Sequence, residues 1–210
     1  MQTVFSIAAL IMSVVVHEVA HGYVAYRFGD NTALYAKRLT LNPIRHLDWF
    51  GSVVLPLLLT LSGTGLVFGW AKPVPYNPNN LNPRRTGELW VASAGIIVNI
   101  ALAIIFGIII QLAPLFGLPP FDPISPHPFY FITGTIVAIN LMLGLFNLIP
   151  IPPLDGSKIF FNLMPIRWMG VQQFMEKYSL ILIVFILLFA GKLLYPIISF
   201  LFTILTGFSI

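Results

Sequence analysis

The stretch Val14-Val15-Val16-His17-Glu18-Val19-Ala20-His21-Gly22 sits inside an almost uninterrupted apolar run from Val4 to Tyr26. In a helix, positions four apart lie one above the other on the same face. His17 and His21 can therefore reach one metal ion, and Glu18 stands beside them to handle a proton. In a soluble protein such a helix would show a polar face, and this one does not. The run is also long enough to span a bilayer, for which roughly 20 apolar residues suffice. The motif decides two things at once: the fold is built from membrane helices, and a hydrolytic metal site is written into one of them.

Composition agrees. Of the 210 residues, 58% are hydrophobic and 9% charged, against about 25% charged in soluble domains. The fold class that follows is an all-α integral membrane protein, a polytopic helix bundle of about four to six membrane segments. The length suits a single membrane-embedded domain over residues 1–210, without a second folded module. The net charge of +4 is small and spread over short loops, a topology signal and not a nucleic-acid surface. With no cysteine, disulfides and thiolate ligands are excluded. The amino terminus lacks the basic region and small-residue cleavage site of a signal peptide, so the first apolar run is expected to be a retained helix.

Outward from the motif, a polar stretch over 30–48 leads to a second apolar stretch, 51–68, broken by Pro56 and by Ser62-Gly63-Thr64-Gly65. Gly69-Trp70-Ala71-Lys72-Pro73-Val74-Pro75-Tyr76 follows, and its prolines impose extended backbone. Residues 88–112 and 129–149 read as spans, 157–178 as an interfacial amphipathic helix, and 179–208 as a last apolar region interrupted by Gly191-Lys192 and Pro196. Lysine and arginine occur in 27–50, 70–88 and 157–178 and are absent from 113–128. All three basic regions share the cytosolic side if 51–68 dips into the bilayer and returns. A re-entrant, extended element is therefore expected at 51–76, where covered non-helical backbone is tolerated at membrane depth.

Ionisable groups inside a span are expensive and mark function. Burying two histidines and a glutamate without a partner costs several kcal/mol, and a metal removes that cost for the imidazoles, which ligate as neutral rings. A catalytic zinc takes three protein ligands and keeps a position open. Asp155, at the end of the span that begins near Phe129, is the best candidate for the third. Its position alone equally suits an N-cap of the following helix. The prolines before it and the glycine after it support the ligand reading. Glu88, Asp122 and Glu176 lie near segment ends or in loops. His46 is expected to order the re-entrant loop, and His127 to be solvated on the opposite face.

With these residues the chain resembles the site-2 protease family of intramembrane zinc metalloproteases, in its compact prokaryotic branch. His17-Glu18-Val19-Ala20-His21 is similar to the family's first motif, and Asn147-Leu148-Ile149-Pro150-Ile151-Pro152-Pro153-Leu154-Asp155-Gly156 to its second. Gly69-Trp70-Ala71-Lys72-Pro73-Val74-Pro75 and Ala94-Gly95-x-x-x-Asn99 resemble the prokaryotic branch, with Ile96 where the family usually has proline. The resemblance implies that His17, His21 and Asp155 bind one zinc ion, that Glu18 is the general base, and that Asn147 lies near the bound peptide. The Asn147 amide could donate to a developing oxyanion, worth about 3 kcal/mol. As an interhelical hydrogen bond it would be worth about 0.6 kcal/mol. The extended segment around Val74 can pair with an unwound substrate by strand addition, or serve as a rigid interfacial connector.

The expected activity is endoproteolysis in or near transmembrane segments of membrane-protein substrates, in a multi-pass protein of the prokaryotic plasma membrane. Its site is expected nearer the cytosolic side. The partners are the lipid bilayer and the substrate, not nucleic acid. A metal-ion or proton transporter could use the same buried His, Glu and Asp, but the repeated halves and paired broken helices of transporters are not evident.

Overall fold

The computed structural model describes residues 2–54, 58, 71–123 and 127–209, and among them six helices of nine residues or more. They are α1 (Gln2–Arg27), α2 (Arg84–Leu112), α3 (Pro128–Asn147), α4 (Asp155–Leu163), α5 (Met169–Lys177) and α6 (Ser179–Thr206). Three are long and apolar enough to cross a membrane: α1, α2 with its 3-10 continuation to Phe116, and α3. Taking α5 and the first part of α6, bent by 75°, as one broken span gives four. The described residues form the expected all-α polytopic bundle, with three or four candidate spans where about four to six segments are expected. Most of the expected re-entrant stretch, 55–57 and 59–70, lies outside the described residues. Of its flanks, Trp49–Val54 is π-helical and residues 71–77 form no helix.

Helix α2 is central, packing against α1, α3, α4 and α6. The reason is legible in its spacing. Gly87, Val91, Gly95, Asn99, Ala103 and Gly107 recur every fourth residue, and all are buried. In lipid, helices associate through close packing and polar contacts and not through a hydrophobic effect, so a stripe of small residues is the face to which neighbours come nearest. Helix α1 answers with its own four-spaced inner face of Ala9, Ser13, His17, His21 and Ala25, also buried. Ile96 interrupts nothing, and α2 runs through it.

At one end of the bundle, Ala103, Ile110, Ala113, Tyr130, Val137, Leu141 and Phe202, from α2 and its 3-10 continuation, α3 and α6, form the larger apolar core. At the other, Ala25, Leu81 and Val91 form a smaller one. Long apolar side chains face outward instead, among them Leu180, Leu188, Leu193 and Phe200 of α6. Bare apolar area on this scale marks a lipid-facing surface.

One expectation is corrected. The interfacial helix over 157–178 is two helices, because Pro165 disfavours helical backbone at Met164, which is extended at φ −76°, ψ 151° and ends α4. The last apolar region, whose sequence allows either one long tilted helix or two shorter ones, is one helix, Ser179–Thr206, with Pro196 inside it. Within a membrane bundle, neighbouring groups and local adjustment re-satisfy the backbone that a proline frees.

The connector before α2 is stitched back onto the end of α1. The Lys72 amide donates to the His46 carbonyl (2.8 Å) and the Asn82 amide to that of Phe28 (2.8 Å). Between them Asp30, with no exposed surface, accepts from the Asn77 amide (2.7 Å), the Asn80 side chain (2.9 Å) and both the amide and hydroxyl of Thr32 (3.1 and 2.5 Å). His46 is buried, and its Nε2 donates to the Thr40 carbonyl (2.8 Å), consistent with an ordering role in the loop. His127 is exposed as expected, and its Nδ1 also caps α3 by accepting from the Phe129 amide (3.3 Å).

Candidate metal centre

His17 and His21, one turn apart on α1, turn their rings toward α2. Room for them exists because α2 has no side chain at Gly95: a Cβ there would overlap the His17 ring. Asp155 arrives from beyond α3. After Asn147 the chain makes tight turns to Leu154, the N-cap residue of α4, and Asp155 is the first residue of that helix. Its partner Gly156 packs so closely on the Leu148 and Ile149 carbonyls that a Cβ would collide with them. The Asp155 side chain thus does not cap α4. It turns toward the two imidazoles.

The result is a nearly equilateral triangle of ligand atoms. His17 Nε2 lies 3.0 Å from His21 Nε2 and 3.1 Å from Asp155 Oδ2, and His21 Nε2 is 3.0 Å from the same oxygen. All three residues are buried. Zinc bound by nitrogen and oxygen at about 2.0–2.1 Å in a tetrahedron separates its ligand atoms by about 3.3 Å, close to what these residues provide.

Proton accounting supports the fit. The His21 Nδ1 faces the Val91 carbonyl at 2.6 Å, an obligate acceptor, so in the neutral ring Nδ1 carries the hydrogen and Nε2 a lone pair. For His17 the logic runs through three helices. Asn140 donates through Nδ2 to the Ile136 carbonyl (2.9 Å) and to Ser13 Oγ (2.9 Å), which points its Oδ1 at Asn99. Asn99 must then donate through Nδ2 to that oxygen (2.7 Å), leaving its own Oδ1 to accept from His17 Nδ1 (2.6 Å). Both Nε2 atoms therefore present lone pairs to each other and to a carboxylate. A shared proton could relieve one edge of such a triangle, whereas a metal ion at its centre relieves all three.

Asp155 lies outside the spanning segments. Burial pushes its carboxyl up, but with no ion between them protons on the facing His17 and His21 nitrogens, in the place a metal would take, hydrogen-bond to it, and with the charges of His21 and Lys158 they hold it well below the usual carboxylate range. Lys158 Nζ is 3.6 Å from Asp155 Oδ1. Glu18, half-buried, accepts from the Val74 amide through Oε2 at 2.9 Å. Asn147 ends α3 with its Nδ2 donating to the Leu143 carbonyl (3.0 Å). Val74 is buried. Glu88 is engaged by Arg84 (3.0 Å) and Glu176 by Gln172 (2.8 Å), and neither joins the triangle.

Sequence reasoning placed Asn99 only within a pattern and passed over Asn140 and Ser13. The available signal was two asparagines in otherwise apolar spans, where polar side chains require partners.

A helical membrane protein in which His-Glu-x-x-His and a distant aspartate converge inside the bundle, able to hold one metal ion, belongs to the class of membrane-embedded metallopeptidases. The profile of peptidase family M50 matches residues 5–127 and 123–190. The chain belongs to that family, the site-2 protease family of zinc metalloproteases. It is 39% identical to YwhC of Bacillus subtilis over 90% of this chain and 81% of that protein. It is 34% identical to Rip2 of Mycobacterium tuberculosis over 73% of this chain and 54% of Rip2, so it spans about half the length of that relative. The names of both class them provisionally as zinc metalloproteases. MJ0392 of Methanocaldococcus jannaschii, named a zinc metalloprotease, is 29% identical over 71% of this chain and 31% of its own. No solved structure matches the chain.

Proposed function

We propose that residues 1–210 act as one membrane-embedded protease domain that hydrolyses peptide bonds in or near transmembrane segments of membrane proteins. In this reading His17, His21 and Asp155 hold one zinc ion. The observation that carries it is the triangle of three lone-pair-bearing atoms, two of them on imidazoles whose other ring nitrogen is already engaged.

Zinc held there would lower the pKa of a coordinated water to near 7 and polarise a scissile carbonyl. Glu18 accepts the proton from the attacking water and returns it to the leaving amine, general acid–base work worth about 10²–10⁴-fold in rate. Asn147 donates to the developing oxyanion once its amide turns from the Leu143 carbonyl, at about 3 kcal/mol for one such donor. The substrate, unwound where it is cut, pairs with the extended segment around Val74. The Lys72 and Val74 amides are already engaged and Pro73 and Pro75 have none, so over these four residues the substrate supplies the donors.

All the lysines and arginines except Lys192 fall in or beside the connections joining the α1 C-terminus, the α2 N-terminus and α4–α5. The positive-inside rule supports a cytosolic position for that end, in a protein of the prokaryotic plasma membrane. From His17 to Arg27 is about 15 Å of helix rise, so the zinc lies below the cytosolic surface yet within reach of its water.

The test uses purified protein in lipid nanodiscs, with fluorogenic membrane-spanning Leu/Ala peptides interrupted by an Asn-Pro break. Native protein should hold one zinc and cut, and Glu18→Gln should hold zinc without cutting. Equal cleavage by both, or ion flux without cleavage, refutes the proposal. Labelling of a cysteine at the exposed Asn79 from outside intact cells refutes the orientation.

A further inference from the structure

The segment Lys72-Pro73-Val74-Pro75-Tyr76 crosses α1 at the proposed base. Between Pro73 and Pro75 the chain has a single N–H, that of Val74, since proline has none. That N–H donates to Glu18 Oε2 at 2.9 Å. The Val74 side chain is buried one turn further along α1, where a Cβ on Gly22 would lie only 2.6 Å from Val74 Cγ1. Two residues on, the Tyr76 ring lies 5.6 Å from Lys158 Nζ, which is 3.6 Å from Asp155 Oδ1. The segment therefore touches both halves of the site: α1 with the base, and α4 with the aspartate. Its ends are held independently, by Lys72 to the His46 carbonyl and by Asn77 to Asp30.

We propose that the Val74 amide is a positioning group for the reaction, fixing Glu18 Oε2 so that Oε1 takes the proton from water and returns it to the amine. This inference rests on the proposed function. An N–H aimed at one carboxylate oxygen removes the rotamer freedom of a glutamate that would otherwise swing between the site and the lipid-water boundary. Flanking prolines suit the task, because they keep the backbone extended and leave no competing donor beside Val74.

Replacing only the amide at Val74 by an ester, through suppression with the α-hydroxy analogue of valine, deletes the donor and keeps the side chain. An ester at Asn77, whose amide binds Asp30, controls for loosening of the segment. With the full chain in nanodiscs and the same fluorogenic peptides, the Val74 ester should lower kcat about 10- to 100-fold, the range spanned by a hydrogen bond to a charged group. KM and bound zinc should stay near native. The Asn77 ester should lower thermal stability and leave kcat within about threefold. An unchanged kcat at the Val74 ester, or an equal loss in both esters, overturns the inference. A second readout needs no cleavage: Glu18→Ala should speed deuterium exchange of the Val74 amide at least about tenfold, and unchanged exchange overturns it. A protein that cuts nothing refutes the proposed function, while exchange at Val74 still decides whether Glu18 holds that amide.

Discussion

Replacing Asn99 by alanine should weaken zinc binding although Asn99 touches no metal. Asn99 is fully buried, so water cannot replace its contacts. Its Oδ1, 2.6 Å from His17 Nδ1, fixes which nitrogen of that ring carries the hydrogen and where the ring points. Outer partners of this kind are worth about 10- to 100-fold in metal affinity, or about 1.4–2.8 kcal/mol. The substitution also strands the His17 Nδ1 hydrogen and the Asn140 Oδ1 acceptor, at about 1–3 kcal/mol each if no new partner is found. In a bilayer the average interhelical hydrogen bond is worth only about 0.6 kcal/mol, so the stability loss should fall toward the low end.

The two effects separate in the assay. Chelator competition in detergent micelles gives the zinc Kd, and thermal unfolding of the metal-free protein gives stability. Asn99→Ala should raise Kd about 10- to 100-fold. Asn99→Asp keeps an acceptor for His17 and loses the donor to Asn140, so its Kd should stay at or below native while its metal-free stability falls. If Asn99→Ala lowers stability but leaves Kd within about threefold of native, Asn99 only joins helices, and the argument from proton accounting is wrong.

Three further outcomes follow from the same geometry. Glu18→Gln should retain stoichiometric zinc and lose about 10²–10⁴-fold in cleavage, read by metal analysis beside a peptide assay. Gly95→Ala inserts a Cβ into the space of the His17 ring, so zinc occupancy should fall sharply, whereas the same change at Gly170, which meets nothing within 4 Å, should leave occupancy native. Burial pushes the Asp30 carboxyl up, but its hydrogen bonds from Thr32, Asn80 and Asn77 prevail and hold it below the usual carboxylate range. Its contribution to stability is therefore complete above the unfolded-state pKa of about 3.9 and is lost as pH falls through that value and below. Asp30→Ala should cost about 2–3 kcal/mol at neutral pH and flatten the acid limb of the stability profile, measured by denaturant unfolding across pH.

The spans and the metal motif were legible because each depends on local pattern. Apolar runs of bilayer length announce α1, α2 and α3, and a spacing of four puts His17 and His21 on one face. Asp155 was half legible: its type and the turn residues around it fit a ligand, but an N-cap has the same local pattern, and only tertiary placement distinguishes them. Asn99 and Asn140 were illegible as parts of the site, because nothing in the order of residues says which of several buried amides meets which histidine. The split of 157–178 could have been anticipated from Pro165, whose local effect was outweighed by the amphipathic pattern on either side. The pinning of the Val74 amide could not, since it depends on the chain folding back 56 residues onto Glu18.

The direction of the buried hydrogen bonds is what ties fold to chemistry. The series begins at a backbone carbonyl, Ile136 of α3, which can only accept. Each amide then has one orientation: Asn140 donates to that carbonyl and to Ser13 of α1, Asn99 of α2 donates to Asn140, and His17 of α1 donates to Asn99. Three helices thereby fix one tautomer of one imidazole, with its lone pair facing the site. In water such a series would compete with solvent at every link. Inside a bilayer an unsatisfied amide has no such alternative, and the low dielectric strengthens each bond that is made. The apolar surroundings that make two histidines and an aspartate costly to bury are thus also what let a few uncharged side chains dictate the proton arrangement a metal requires.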